Sequence, residues 1–483
     1  MRIAESTTLI LDRGPWGGRG PSPSELALVV AWSRAEPQRV GEILFAGHAA
    51  GGTHSFGRGC APDTGGIGLV RQRPADNELT GTTRAPGISR HQWNLRRAGR
   101  TIEIENVGRR ALRVDGVECV AATVRAGAIV EIADELVLVA TVRPSRMAPC
   151  PLPVELMPAF GEADAFGIVG ESEVAWQLRR QLAFAAGRHD HILLTGPSGS
   201  GKELAARAIH GLSGRAGERL LARNAATFPE ALVDAELFGN VRDYPNPGMP
   251  ERPGLIGASD GGMLFLDEIG ELPHALQAHL LRVLDGGEYQ RLGESRSRRA
   301  DVRVIAATNR APDELKHDVL ARLRLRVALP GLCERREDVP LLARHLLRRM
   351  AARDPMVAER CFERGDRDGE PRWTSRFVAG LLGARFRTHV RELETWLWQA
   401  ILDSRDGVLD EPPALCASSH KDAHSAEDDS EVGDVDPRTL DAAAVQRALD
   451  EHNGSRELAW RGLGLRSRHQ LLRLMRRFGI STP

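Results

Sequence analysis

The feature that most constrains this chain is the run TGPSGSGKE at residues 195–203. The apolar stretch His191-Ile192-Leu193-Leu194 before it reads as a buried strand. Lys202 then opens a helix whose apolar stripe is Leu204, Ala205, Ala208 and Ile209. Strand, glycine turn, lysine and helix make a phosphate cradle. Gly196, Gly199 and Gly201 let backbone N–H groups point inward, Lys202 reaches the terminal phosphates, and the helix N-terminus adds partial positive charge. Pro197, Ser198, Ser200 and Glu203 complete the candidate nucleotide-binding segment. The residue after the lysine is usually Ser or Thr, whose hydroxyl holds magnesium, whereas here it is Glu203.

A second stretch, GGMLFLDE at residues 261–268, reads as an apolar strand ending in two carboxylates. Asp267 at a strand tip beside a phosphate loop can hold the shell of Mg2+. Glu268 can polarise a water for attack on the terminal phosphate. The two stretches together predict a chain that binds and hydrolyses a nucleoside triphosphate, with ATP and Mg2+ as cofactors.

A chain of 483 residues is too long for one core and predicts two to four domains. Sixty-five basic side chains balance sixty-five acidic ones, so contact with nucleic acid must come from a local patch. The six cysteines are scattered, with no CxxC pair, which predicts reduced thiols. No run approaches the roughly 18 apolar residues of a membrane span. The first residues lack a secretion signal, so a cytoplasmic protein is expected.

Residues 1–142 read as an all-β sandwich, with short apolar runs at 26–30, 66–70, 101–105, 128–132 and 136–140 separated by turn residues. Phe56-Gly57-Arg58, then Ile88-Ser89-Arg90-His91-Gln92, then Val114-Asp115-Gly116 fall between these runs. This set resembles the forkhead-associated domain, a sandwich whose loops bind phosphothreonine. The resemblance implies Arg58, Ser89 and Arg90 as phosphopeptide ligands and a phosphothreonine protein as partner. A guanidinium and a hydroxyl suit that ligand. Two positions depart from the family: its histidine falls on Gln92, and its later asparagine on Arg109 or Arg110. Contact with protein alone is the other use of such a sandwich.

Residues 143–165 read as a proline-rich linker and 166–405 as a parallel α/β sheet with a helical lid at about 331–405. The strings GPSGSGKELAARAIH, ELFG, GGMLFLDEIGELP, LLRVLDGGEYQRLG, DVRVIAATN, ERREDVPLLARHLL and HVRELE follow in order. They are similar to the AAA+ domain of bacterial enhancer-binding proteins, which activate sigma-54 RNA polymerase. That family carries Glu after the lysine, which accounts for Glu203. The resemblance implies further roles. Asn224 would hold Glu268 in standby, Asn309 would sense the terminal phosphate, and Arg391 would touch nucleotide from the lid. Lys316 and Arg322 stand where two arginines act in trans, which implies a homo-oligomeric ring. Lys316 is a point charge and offers no planar fork.

The loop after Glu236-Leu237-Phe238-Gly239 departs from the family. Its GAFTGA tip, which touches sigma-54, is replaced by Asn240-Val241-Arg242-Asp243-Tyr244-Pro245-Asn246-Pro247-Gly248. Either Tyr244 now makes that contact, or the ring remodels another target. Residues 406–437 read as an acidic linker. Residues 438–483 read as a helical segment with helix-turn-helix grammar. It is similar to the Fis-type segment that ends enhancer-binding proteins. Arg468, His469, Gln470 and Arg473 would reach base edges, Arg476 and Arg477 would hold phosphates, and Arg466 belongs to the same DNA-binding set. The expected protein is thus a DNA-bound, sigma-54-type transcriptional regulator. The competing reading is a DNA-binding scaffold that uses nucleotide only to assemble.

Overall fold

The computed structural model describes residues 9–10, 22–46, 52–60, 65–229, 232–410, 441–451, 463, 474, 475 and 478. The chain divides into two compact units, Met1–Cys416 and Ala417–Pro483.

In the first unit, β1 (Leu9–Ile10) pairs with a strand of the central sheet. The expected β region of residues 1–142 therefore forms its own sheets only beyond that strand. Twelve strands follow: β2 (Ser24–Ser33), β3 (Ile43–Phe45), β4 (Thr53–Phe56), β5 (Leu69–Arg73), β6 (Asp76–Gly81), β7 (Trp93–Ala98), β8 (Thr101–Asn106), β9 (Leu112–Val114), β10 (Val117–Cys119), β11 (Ala121–Val124), β12 (Ile129–Ile132) and β13 (Leu136–Pro144). They form two antiparallel sheets, in the orders β10-β9-β12-β13-β2-β3-β5-β6 and β11-β8-β7-β4. Alternation along the strands decides what fills the space between them. Leu26, Leu28 and Val30 of β2 and Leu136 and Leu138 of β13 cluster with Trp93, Leu95, Ile102 and Ile104 of the smaller sheet. The opposite faces of β2 and β13 are buried too, which is why β2 reads as one continuous apolar run.

The central block is α/β. After α1 (Glu173–Ala186) come β14 (Ile192–Thr195), α2 (Lys202–Gly211), β15 (Leu220–Asn224), α3 (Val233–Phe238), α4 (Gly254–Ala258), β16 (Met263–Asp267), α5 (His274–Gly286), the small pair β17 (Glu288–Tyr289) and β18 (Arg298–Arg299), β19 (Arg303–Thr308), α6 (His317–Arg322) and β20 (Leu325–Ala328). The parallel sheet runs β1-β20-β14-β19-β16-β15. Its register aligns Thr195 with Thr308 and Asn224 with Asp267. The glycine loop, the acidic pair and Asn309 therefore leave the sheet at one edge, beyond the carboxyl ends of the strands, where open α/β sheets bind ligands.

Four lid helices follow: α7 (Val339–Arg353), α8 (Pro355–Cys361), α9 (Ser375–Gly383) and α10 (Val390–Asp403). Their core is continuous with the outer face of the larger N-terminal sheet. Ala27, Val29, Ala31, Val137 and Val139 share one apolar cluster with Leu341, Phe377, Val378 and Leu381. Arg336 bridges the two bodies, donating to Gly127 O and Leu382 O.

Residues 143–165 read as a spacer in sequence, but they are a packed strap. Arg143 donates to Glu171 O at 2.8 Å, and the Phe160 ring lies beneath Arg71 and Arg73. The Asp164 carboxylate accepts from Phe166 N, Ile168 N and Arg179. Burial raises the pKa of Glu171, and the nearby Arg73 and Arg179 oppose that rise.

In the second unit, α11 (Ala442–Glu451) starts where Asp441 accepts from Ala444 N, and it buries Val445 and Ala448. Val29→Lys would place a charge in the cluster shared by sheet and lid, while its neighbours Leu28 and Val30 keep the sandwich core. An unpaired buried charge costs several kcal/mol. Thermal unfolding of this variant should split into two transitions, and proteases should gain access to residues 143–165.

Candidate functional site

The phosphate loop is shaped by residues that tolerate left-handed backbone. Gly199 has φ +77° and Gly201 φ +96°, where a side chain would be strained. Gly201 stands at the N-cap of α2, so the first turn points its free N–H groups into the loop. Lys202 is buried, and its Nζ donates to Gly196 O at 3.1 Å and Pro197 O at 3.4 Å. These neutral acceptors are weaker than charged phosphate oxygens, to which the ammonium would transfer. Ser200 Oγ is buried in the same loop with no hydrogen-bond partner among the described residues.

Across the strand ends, Glu268 has left-handed backbone at φ +51°. Non-glycine residues pay to adopt this shape, and such strain gathers at functional positions. Glu268 N donates to Asp267 Oδ1, and Glu268 Oε2 accepts from Asn309 N at 3.3 Å. Its other oxygen lies 4.0 Å from Lys202 Nζ. Lys202, Asp267, Glu268 and Asn309 thus lie together. The acidic pair and the loop offer oxygen donors alone, which suits magnesium, an ion that keeps much of its water.

Glu203 is exposed and pairs with Arg207 on the outside of α2. The Asn224 side-chain oxygen accepts from Ala226 N and caps a turn, so its described bond is to its own backbone segment. Lys316 lies at the N-cap of α6, where its N–H donates to Gln277 Oε1. Arg322 pairs with Asp285 at 2.9 Å, and that carboxylate raises its pKa. It sits just before β20, at the end of the sheet away from the phosphate loop.

The lid closes on the loop. Val390 N donates to Gly199 O, and Arg391 donates to Ser198 Oγ at 2.9 Å. A Cβ on Gly199 would lie 2.2 Å from Thr388 O. His389, between these residues, is a position that sequence reasoning missed. It matched inside HVRELE as one letter, and nothing in the string signals its backbone shape.

The loop after Gly239 is pinned. Asn240 is fully buried, and its Nδ2 donates to the carbonyls of Val241, Tyr244 and Pro250. Asn240 and Arg252 exchange backbone bonds, and Val241 N donates to Leu292 O. Arg291 pairs with Glu251 and with Glu294, whose carboxyl is held down to about 2 by its hydrogen bond from Arg298 and by Arg291. Tyr244 is left partly exposed against Gly293.

The sandwich carries a second candidate site. A cup of about 400 Å3 is lined by Arg58, Pro86, Gly87, Ile88, Ser89, Arg90, Arg109 and Arg110. Gln92 is buried beneath it and ties the loops together. Its side chain accepts from Ser89 N and donates to Asn106 Oδ1 and Arg110 O. Ser89 Oγ accepts from Arg109 N, which leaves its O–H free to donate to an anion. Arg110 is drawn aside by Glu135. Asn106, which holds Arg110 O, is another position that sequence reasoning missed. The candidate DNA-contacting residues Arg466, Arg468, His469, Gln470, Arg473, Arg476 and Arg477 lie outside the described residues.

Residues 168–328 match the sigma-54 interaction domain, an AAA+ ATPase domain. The transcriptional regulatory protein ZraR of Salmonella typhimurium is 33% identical over 325 residues, covering 65% of this chain and 69% of that protein. The chain belongs to the family of sigma-54 enhancer-binding regulators. The formate hydrogenlyase transcriptional activator of Salmonella typhimurium is 35% identical over 332 residues. The match covers 66% of this chain but only 45% of that activator, so the chain spans less than half the length of this relative. The crystal structure of NtrX from Brucella abortus in complex with ADP aligns with a TM-score of 0.45 at 24% identity, covering 65% of this chain and 70% of that one. Among the described residues no helix of this enhancer-binding regulator is long and apolar enough to cross a membrane.

Gly199→Ala would meet Thr388 O and adopt a costly φ. It should lift the lid from the loop and weaken nucleotide affinity at least about tenfold, the equivalent of about 1.4 kcal/mol. Calorimetric titration with ADP would measure this.

Proposed function

We propose that this chain is an ATP-hydrolysing transcriptional regulator whose ring remodels a promoter-bound complex. The observation that carries this reading is the convergence of Lys202, Glu268 and Asn309 under a lid that brings Arg391 to Ser198. ATP would lie along the loop, with Lys202 on its terminal phosphates and Arg391 closing over it. Mg2+ would be held by Asp267 together with phosphate and water oxygens, and would neutralise charge on the phosphates. Glu268 would orient the attacking water after leaving Asn309 N–H. Arg322, helped by Lys316, would reach the next subunit's nucleotide, so turnover should rise with assembly. The C-terminal segment would bind DNA as a dimer, with Arg468 reading a base and Arg477 holding phosphate. Glu268→Gln should abolish phosphate release while nucleotide and DNA binding persist. If wild type shows no turnover either, the chain is a nucleotide-assembled scaffold.

The output is open to a second reading because of one observation. Asn240 locks residues 240–252 into a compact hairpin where the family presents its GAFTGA tip. We favour sigma-54 polymerase as the partner on family grounds. A compact hairpin that leaves Tyr244 partly exposed would equally suit a different target. In vitro transcription with sigma-54 holoenzyme separates the two. ATP-dependent open complexes support the first reading, and their absence from a chain that turns over ATP supports the second.

The sandwich would act as a forkhead-associated module. Its arginine-lined cup suits the dianion of phosphothreonine, with Arg58, Arg90 and the Ser89 hydroxyl as ligands. Arg58→Ala should weaken binding to a phosphothreonine peptide library at least about tenfold, the loss of a charge-assisted contact. A wild-type sandwich that binds no phosphopeptide would leave it a protein-contact module.

A further inference from the structure

His389 is the strained residue at the centre of the lid contact. Its backbone lies at φ 49° and ψ −116°, a region that bulky side chains avoid. Its side chain is buried, and ring Nδ1 accepts from Leu332 N at 3.1 Å. The ring fills the space above Gly331, where a Cβ would lie 2.5 Å from Cε1. Gly331 and Leu332 form the hinge between β20 and the lid. On either side of His389, Thr388 O packs against Gly199, Val390 N donates to Gly199 O, and Arg391 reaches Ser198. The Glu392 carboxylate accepts from Arg387 N and Thr388 N, closing the same turn from within α10. One side chain thus links the hinge to the turn that seats the lid on the phosphate loop.

We propose that His389 is a positioning residue for the bound nucleotide. By accepting the Leu332 N–H, its neutral ring holds the strained turn that places Arg391 over the phosphate loop. This rests on the reading of the loop as a nucleotide site. The acceptor role requires Nδ1 to be unprotonated, with any ring proton on Nε2. The charged groups facing the ring are Arg335 and Glu334 from the hinge side and Glu392 from α10. Burial first, and then Arg335, lower the pKa of the imidazole below its ordinary 6.5, while the two glutamates pull the other way. A depressed folded pKa favours the neutral ring in the folded state. The closed turn is therefore intact above about pH 6.5 and is lost as pH falls through the lower folded value.

The test is the Kd for ADP, measured by calorimetry on the full chain across pH for wild type, His389→Ala, His389→Asn, Arg391→Ala and the His389→Ala/Arg391→Ala double variant. His389→Ala should weaken binding about tenfold through loss of the tie. His389→Asn should restore most of that, because its amide oxygen offers an acceptor near the same place. In the Arg391→Ala background His389→Ala should add little, since it acts through that arginine. The advantage of wild type over His389→Asn should shrink as pH falls through the folded pKa of the ring, which lies below 6.5. Gly331→Ala, whose methyl displaces the ring, should copy His389→Ala and serves if that variant does not fold. The inference is overturned if wild type binds and His389→Ala binds equally well, or if the two single losses multiply. A wild type that takes up no nucleotide overturns the cradle reading, and this inference with it.

Discussion

The whole arrangement depends on one close approach: the backbone of Gly199 against the turn from Thr388 to Val390. The space between them admits no Cβ. Across it runs the Val390 N–H bond to Gly199 O, and beside it the Arg391 bond to Ser198. A phosphate loop alone grips an anion. Seated under a lid, it can also report whether the anion is there, because the lid's position depends on the same few atoms. The strained backbone of Glu268 on one side and of His389 on the other flanks this approach.

The second constraint is the apolar face that β2 and β13 present to the lid. With Val29, Val137 and Val139 sharing a cluster with Phe377 and Leu381, the sandwich is an extension of the lid. The strap at residues 143–165 reinforces this, since Phe160, Asp164 and Arg143 each use their side chains against neighbours. A ligand in the arginine-lined cup would therefore act on a body already joined to the nucleotide site. Any coupling between the two sites must be reciprocal.

Much of the catalytic edge was legible in the sequence, because phosphate chemistry demands particular residues in a particular order. TGPSGSGKE and the strand ending in Asp267-Glu268 placed the cradle, and parallel β-sheet register brought Asn309 to it. The start of α2 at Lys202 followed from the apolar stripe that begins just after it. What stayed hidden depends on conformation or on long-range packing. No local pattern marks Leu9–Ile10 as an edge strand of a distant sheet, or β4 and β7 as strands, since their polar residues break the apolar rhythm. The proline-rich composition of residues 143–165 argued for a spacer and gave no sign of the contacts that Arg143, Phe160 and Asp164 make. Asn224 was assigned to Glu268, and its described bond goes to Ala226. The roles of Gln92 and Asn106 could be seen only once three loops were brought together.

The most direct test of the account is a set of spin-label distances in the full chain, with and without nucleotide. Labels at exposed Val117 on the sandwich and exposed Met356 on the lid would report on one pair, and Val117 with Asp234 in the α/β block on another. The account predicts that nucleotide shifts the sandwich-to-block distance and leaves the sandwich-to-lid distance unchanged. A sandwich-to-lid distance that shifts or broadens with nucleotide would contradict it.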